Sequence, residues 1–149
     1  MERVAYSLVA TGIIKKGNKI LISLKGSELH PISNQWYFPG GGVEPGENPF
    51  RAVGRELLEE TGMRVKAIRV IEFFPEFRDF KPWKFKGWMM HILFDCKYIS
   101  GKPKARDDII QVKWASPKEI FEYVRKNPNT RLAKFLKNSK SLKSFFQQV

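Results

Sequence analysis

The chain has 149 residues, of which 42% are hydrophobic, and its 27 Lys and Arg residues against 15 Asp and Glu residues give a formal net charge of +12. This length and hydrophobic content exclude a disordered chain, and the single cysteine, Cys96, excludes an internal disulfide. No apolar run approaches the roughly 20 residues that cross a bilayer, and nothing is typical of a secretion signal, so we expect a cytoplasmic protein with no membrane partner.

The first elements are predicted to be strands. Residues 4–14 and 19–25 are rich in β-branched residues and flank a Gly17-Asn18 pair, which is typical of a β-hairpin. Residues 26–34 have the composition of a loop, and residues 35–38 form a short aromatic strand that Pro39 ends.

The clearest helix of the chain follows this strand. Asn48 is a suitable N-cap, Pro49 a suitable first helical residue, and Gly62 a suitable residue just beyond the helix end. Residues 63–77 and 85–99 then concentrate Val, Ile, Phe, Trp and Tyr, and we expect them to be two long strands that pair.

The last third of the chain predicts one more strand and two helices. Residues 109–115 form the strand, and Ser116 begins a helix that reaches about Lys126. A final helix near residues 130–137 leads into a stretch rich in Lys and Ser, and the basic C-terminal region, about residues 126–149, is predicted to be a helical tail. With no repeats and no long linker, residues 1–149 are predicted to form a single domain of the α/β (α+β) class with a mixed sheet.

The positive charge is concentrated late in the chain. After Pro75 there are 17 basic and 7 acidic residues, and residues 126–149 contain six basic residues and no acidic one. Such a basic tail favours a polyanionic partner such as nucleic acid, although a basic surface that only maintains solubility is the alternative.

Three acidic residues lie close together on the predicted helix. Glu56, Glu59 and Glu60 stand at positions i, i+3 and i+4, so they project from one side of a helix. Crowded carboxylates repel one another unless a cation neutralises them, and such oxygen ligands suit Mg²⁺ or Mn²⁺. The alternative is a solvated acidic helix face paired with nearby arginines, namely Arg51, Arg55 and Arg64.

The loop before this helix favours the metal interpretation. Residues 40–47 hold four glycines, which allow a tight backbone turn that can approach a phosphate closely. Carboxylates that hold a divalent ion beside such a loop are the arrangement expected for phosphoryl chemistry.

Residues 41–63 resemble the signature of the Nudix (MutT-like) hydrolases. That signature is Gly, five residues, Glu, seven residues, then Arg-Glu-U-x-Glu-Glu-x-Gly-U, where U is a bulky aliphatic residue. All of its fixed positions are filled here, by Gly41, Glu47, Arg55, Glu56, Leu57, Glu59, Glu60, Gly62 and Met63. The resemblance implies a Nudix-type α/β/α sandwich in which the signature forms a loop, a helix and a loop.

The resemblance also implies roles for the signature residues. The three helix glutamates would be catalytic and bind one or more divalent ions, with Gly41 at the same site, and one of them would serve as the general base. Arg55 and Glu47 would support these glutamates, and Gly62 would end the helix. Water would then attack a phosphorus of a nucleoside diphosphate linked to a group X and cleave the pyrophosphate bond.

Residues outside the signature are candidates for further roles. Some family members use an additional acid before a strand that ends in tryptophan, which nominates Asp108, with its neighbour Asp107, as a metal ligand or base; a surface turn is the alternative. Four aromatic residues are candidates for contact with the substrate, although rings in strands more often fill a core: Trp36, Phe38, Phe80 and Trp83.

The sequence leaves group X open among nucleoside triphosphates, nucleotide sugars and ADP-ribose. ADP-ribose hydrolases of the family carry a proline downstream of the signature where this chain has Arg78. This difference argues against ADP-ribose as the substrate without excluding it. The competing hypothesis is a Nudix protein that binds or decaps RNA through the basic tail. The oligomeric state is left open too, with a homodimer among the options.

Overall fold

The computed structural model describes residues 3–26 and 30–149, which form a seven-stranded mixed sheet with helices packed on both faces. Its elements are β1 Tyr6–Lys16, β2 Lys19–Lys25, β3 Trp36–Tyr37, β4 Gly40–Gly42, α1 Pro49–Thr61, β5 Arg64–Phe80, β6 Phe85–Ser100, β7 Ile109–Ala115, α2 Pro117–Lys126, α3 Arg131–Asn138 and α4 Lys140–Gln147. The α/β fold predicted from the sequence is confirmed. Part of the loop predicted at 26–34, residues 27–29, lies outside the described residues.

The predicted hairpin forms at its turn and then opens. Strands β1 and β2 pair only at Lys15 with Ile20 and at Lys16 with Lys19. Further along, β2 pairs with β7, whereas β1 runs parallel to β6. The short strands bridge the opening, since β3 pairs with β2 and β4 pairs with β1. The glycine-rich loop therefore starts where the two strands diverge.

Helix α1 begins and ends where the sequence predicts. The Asn48 side chain accepts a hydrogen bond from the Phe50 N–H at 2.9 Å, which caps the first turn. Gly62 takes a left-handed conformation with φ 74°, and its N–H donates to the Leu58 carbonyl at 3.0 Å.

The predicted end of the first long strand is wrong. Strand β5 continues through Phe80, where the sequence predicts a loop, because Arg78 and Asp79 find cross-strand partners in β6. The region after α3, which the sequence predicts to be part of a helical tail, forms a separate helix, α4, capped by Ser139, whose hydroxyl accepts the Leu142 N–H at 3.0 Å.

The sheet is buried on both faces. Adjacent residues alternate between two cores, so Ile13 packs with the side of α2, α3 and α4 while Ile14 packs with the side of α1. Three aromatic residues of the predicted basic tail lie in the first of these cores: Phe135, Phe145 and Phe146. The tail is thus docked on the sheet of its own chain, with its lysines exposed.

Cys96 is buried in the core beneath α1, as expected for a strand thiol, and burial raises its pKa to about 12. None of the helices in the described ranges has the length and apolar character needed to span a bilayer.

Candidate active site

An ion pair ties the glycine-rich loop to α1. Arg55 Nε donates to Glu47 Oε2 at 2.8 Å, and its Nη2 donates to Glu47 Oε1 at 2.9 Å, which is a bidentate contact. Arg55 Nη2 also donates to the Gly42 carbonyl at 3.0 Å. The hydrogen bonds from Arg55 lower the pKa of Glu47 to about 2, so this carboxylate stays ionised and holds the loop against the helix.

Gly41 allows the closest approach between loop and helix. A Cβ atom at this position would lie 2.5 Å from the Glu56 carboxylate. That carboxylate also accepts a hydrogen bond from Arg55 Nη1 at 3.0 Å. Burial raises the pKa of Glu56 above its ordinary value, against the opposing charge of Arg55. The absence of a side chain at Gly41 therefore leaves the space that the Glu56 carboxylate occupies.

Glu60 is the most deeply placed signature glutamate, with a side chain only 7% exposed. Its Oε1 lies 3.2 Å from Lys25 Nζ, and its Oε2 accepts the Gly40 N–H at 3.3 Å. Burial raises the pKa of Glu60 to about 7, although Lys25 opposes the shift. Lys25 Nζ lies 3.5 Å from Asp108 Oδ2 as well, so the structure brings Asp108 to the signature helix.

Glu59 differs from the other two glutamates. Its side chain is 55% exposed and is paired with Arg55 Nη1 at 3.3 Å, outside the wall of the cleft that Glu56 and Glu60 line. The sequence predicts that all three project from one side of α1. The structure brings two of them into the cleft and leaves the third at its border.

A cleft of about 770 Å³ connects these carboxylates with an aromatic wall. At one end lie the glycine-rich loop, Glu56, Glu60 and Asp108. A largely apolar, aromatic wall of the same cleft is formed by Tyr6, Leu8, Trp83, Phe85 and Met89. Of the four aromatic residues predicted to contact the substrate, Phe38 and Trp83 line the cleft, whereas Trp36 and Phe80 do not.

Several lining residues were not predicted from the sequence. Lys25 comes from the end of β2, and His91 and Arg131 come from β6 and α3. His30, which the sequence suggests is a loop residue, packs edge-on against Trp83 with ring centroids 5.0 Å apart. No local pattern marks these residues, because contacts between distant parts of the chain bring them to the cleft.

A buried charged cluster supports the inner wall. Glu76 Oε1 accepts hydrogen bonds from Arg78 at 2.7 Å and Arg131 at 3.3 Å, and lies 3.1 Å from His91 Nε2. Burial lowers the pKa of His91, so the ring is neutral and donates to the carboxylate through Nε2. Arg131 also lies over the Tyr37 ring, 5.4 Å from its centroid.

The carboxylate end of the cleft has the donors that a hard divalent ion requires. Glu56, Glu60 and Asp108 offer carboxylate oxygens, which Mg²⁺ and Mn²⁺ prefer to nitrogen or sulfur. Across residues 3–26 and 30–149, however, no three ligating side chains are already grouped as a metal site. The residues fit such an ion, provided that some of the contacts made by Lys25 and Arg55 are exchanged.

Comparisons with known proteins show what the chain is similar to. The NUDIX domain model matches residues 6–138. Nucleoside triphosphatase NudI of Enterobacter sp. (strain 638) is 26% identical over 80% of this chain and 88% of its own length. ADP-ribose pyrophosphatase of Methanocaldococcus jannaschii is 34% identical over 78% of this chain and 68% of its own length. A solved NUDIX hydrolase from Nitrosomonas europaea superposes with a TM-score of 0.73 at 19% identity, covering 97% of this chain and 90% of that one.

Proposed function

The chain belongs to the NUDIX family of hydrolases, and on that premise we propose that it cleaves a pyrophosphate bond of nucleoside triphosphates with the help of a divalent ion. The observation that carries this proposal is one cleft that is lined both by carboxylates and by an aromatic wall. The carboxylates suit a metal and phosphates, and the aromatic wall suits one base.

The residues of the carboxylate end have separate tasks in this proposal. Glu56 and Glu60, with Asp108, hold the ion, which when bound acts as a Lewis acid on phosphate oxygens. Arg55 keeps Glu56 in place through the hydrogen bond at 3.0 Å, and Gly41 leaves room for it. The glycine-rich loop offers backbone N–H groups to the phosphate chain, which holds the phosphorus in a fixed position for attack by water.

The aromatic wall is proposed to bind the base. Trp83 packs edge-on against His30, and both line the cleft that also holds the carboxylates. A base that packs on Trp83 would bury apolar area. The resemblance of the chain to nucleoside triphosphatase NudI supports this substrate class.

The test is product release from a panel of nucleotides with Mg²⁺. The panel contains canonical and oxidised nucleoside triphosphates, ADP-ribose, nucleotide sugars, dinucleoside polyphosphates and capped RNA. We expect nucleoside triphosphates to be the best substrates, with activity lost on adding EDTA and in Glu60→Gln. Activity that survives both treatments would contradict the proposed site.

ADP-ribose is the second candidate, because the relative with 34% identity is named an ADP-ribose pyrophosphatase. Against it stands Arg78, which occupies the position of the family's ADP-ribose proline and is paired with Glu76 at 2.7 Å. A higher kcat/KM for ADP-ribose than for every triphosphate in the panel would select this candidate.

RNA binding by the basic C-terminal region stays a prediction. The lysines of α3 and α4 are exposed on the side away from the core: Lys134, Lys137, Lys140 and Lys143. Contacts with phosphates through several lysines would weaken steeply as salt is raised. Labelled RNA that fails to bind even at low salt would remove this alternative.

A further inference from the structure

Lys25 is a buried cation placed between two carboxylates of the candidate active site. Its Nζ lies 3.2 Å from Glu60 Oε1 and 3.5 Å from Asp108 Oδ2, and its side chain is only 11% exposed. A buried ammonium is costly unless it is paired, and these two acids supply the pairing.

The backbone fixes this arrangement. Lys25 is the last residue of β2, and its position opposite Ile109 follows a register shift in the pairing with β7. The next residue, Gly26, donates its N–H to the Asp108 carbonyl at 2.9 Å, and the Lys25 carbonyl accepts the Asn34 N–H at 2.8 Å. The chain thus holds the end of β2 and the turn before β7 together, independently of the ion pairs.

Both oxygens of Glu60 have partners in this arrangement. Oε1 faces Lys25, and Oε2 accepts the Gly40 N–H at 3.3 Å. A divalent ion at Glu60 and Asp108 would compete with the ammonium for the same oxygens, since two cations that share a carboxylate at this distance repel each other. In the described part of the chain, no other lysine or arginine pairs with Glu60.

We infer that Lys25 is an exchangeable cation of the active site: the divalent ion displaces its ammonium from Glu60 and Asp108, and the displaced ammonium then binds the phosphate chain of the substrate. The inference rests on the proposed function only for its second half. A phosphate chain is the anion that this cleft is proposed to receive, and Lys25 already lines the cleft. Metal binding and phosphate binding would in this way be coupled through one side chain.

The first experiment measures Mn²⁺ binding by electron paramagnetic resonance, without nucleotide, in the wild type and in Lys25→Met. Because the substitution removes the competing ammonium, we expect Mn²⁺ to bind more tightly in Lys25→Met, by roughly tenfold. The matched control is Lys66→Met, which removes one exposed lysine of β5 and should leave the affinity unchanged. Equal or weaker Mn²⁺ binding in Lys25→Met, or the same gain in Lys66→Met, overturns the exchange.

Lys25→Arg keeps the protein testable if the methionine variant does not fold. It retains a cation that can pair with Glu60 and Asp108, so the affinity for Mn²⁺ should stay near that of the wild type. Tighter Mn²⁺ binding in Lys25→Arg would show that charge competition is not the cause, and would overturn the inference.

The second experiment measures the binding of a non-hydrolysable nucleoside triphosphate with Mn²⁺ present at saturation. We expect Lys25→Met to bind this nucleotide several-fold more weakly than the wild type and Lys66→Met to bind it equally well. Unchanged nucleotide affinity would overturn the phosphate contact. If Mn²⁺ binding changes as expected while no nucleotide is hydrolysed, the proposed function fails and the exchange at Lys25 stands.

Discussion

The signature segment, residues 41–63, and the C-terminal helices α3 and α4 both bury apolar side chains against the central sheet, but they differ in the polar contacts that they add. The first adds paired charges beside the cleft, such as Arg55 with Glu47. The second is fixed by apolar side chains, such as Leu142 and Phe146, which are almost fully buried. In the first region the identity of each residue matters for chemistry, and in the second its volume matters for stability.

The difference between the two regions is tested most strongly at Glu60. In Glu60→Gln we expect turnover to fall by roughly 100-fold or more, because changes to the partners of metal ligands alone cost about 10–100-fold. Product release under saturating substrate measures the effect, and Glu122→Gln on the exposed side of α2 is the control. Near-normal turnover in a folded Glu60→Gln protein would remove Glu60 from the site.

The opposite behaviour is expected at Leu142. Leu142→Ala leaves a cavity between α4 and the sheet, so we expect the free energy of unfolding to fall by about 2–5 kcal/mol. Urea denaturation measures the loss, and the activity of the folded protein at 25 °C should be unchanged. Lys143→Ala, at an exposed neighbouring position, should be nearly neutral. A Leu142→Ala protein that is stable but inactive would show that α4 contributes to the reaction and not only to stability.

Gly41 tests whether the position of the Glu56 carboxylate matters for turnover. In Gly41→Ala the new Cβ would lie 2.5 Å from the Glu56 carboxylate, which is too close, so the carboxylate must move. It can move because it is the end of a flexible side chain. We expect turnover to fall by roughly 10–100-fold with little loss of stability. Gly42→Ala is the matched control, since its Cβ would meet no atom within 4 Å. Similar kinetics for the two variants would mean that the position of Glu56 does not limit the reaction.

The smallest effect is expected on replacing Glu76, which forms the ion pair between the sheet and Arg131 of α3. Although burial opposes the shift, the hydrogen bond from His91 and the charges of Arg131 and Arg78 lower its pKa to about 2, from an ordinary 4.5. A lowered pKa stabilises the fold above pH 4.5, and this stabilisation is lost as the pH falls towards 2. The free energy of unfolding, measured by urea denaturation, should therefore be about 1–3 kcal/mol higher for the wild type than for Glu76→Gln at pH 6. At pH 3 the difference should be smaller. A difference that does not vary with pH would contradict this origin.

The sequence predicts well those features that depend on neighbours in the chain. Helix α1 has Asn48 before it and Gly62 after it, and the structure confirms both ends. The sequence predicts a helical tail in the region of α4, but not the break at Ser139 that separates α3 from α4. The contribution of Lys25 and Arg131 to the cleft could not be predicted, because Lys25 depends on the pairing of β2 with β7 and Arg131 on the packing of α3 against distant parts of the chain.

The parallel pairing of β1 with β6 also bears on how the protein folds. This pairing brings Val9 beside His91, and the whole signature lies in the chain between them. Closing so long a loop costs entropy before any contact compensates for it, and proteins dominated by such pairings fold over milliseconds to seconds. Lys25, Glu60 and Asp108 meet only when β1 and β6 have paired and β7 has joined β2. The cleft is therefore complete only when the sheet is, so the onset of activity in a refolding experiment would report the completion of the sheet.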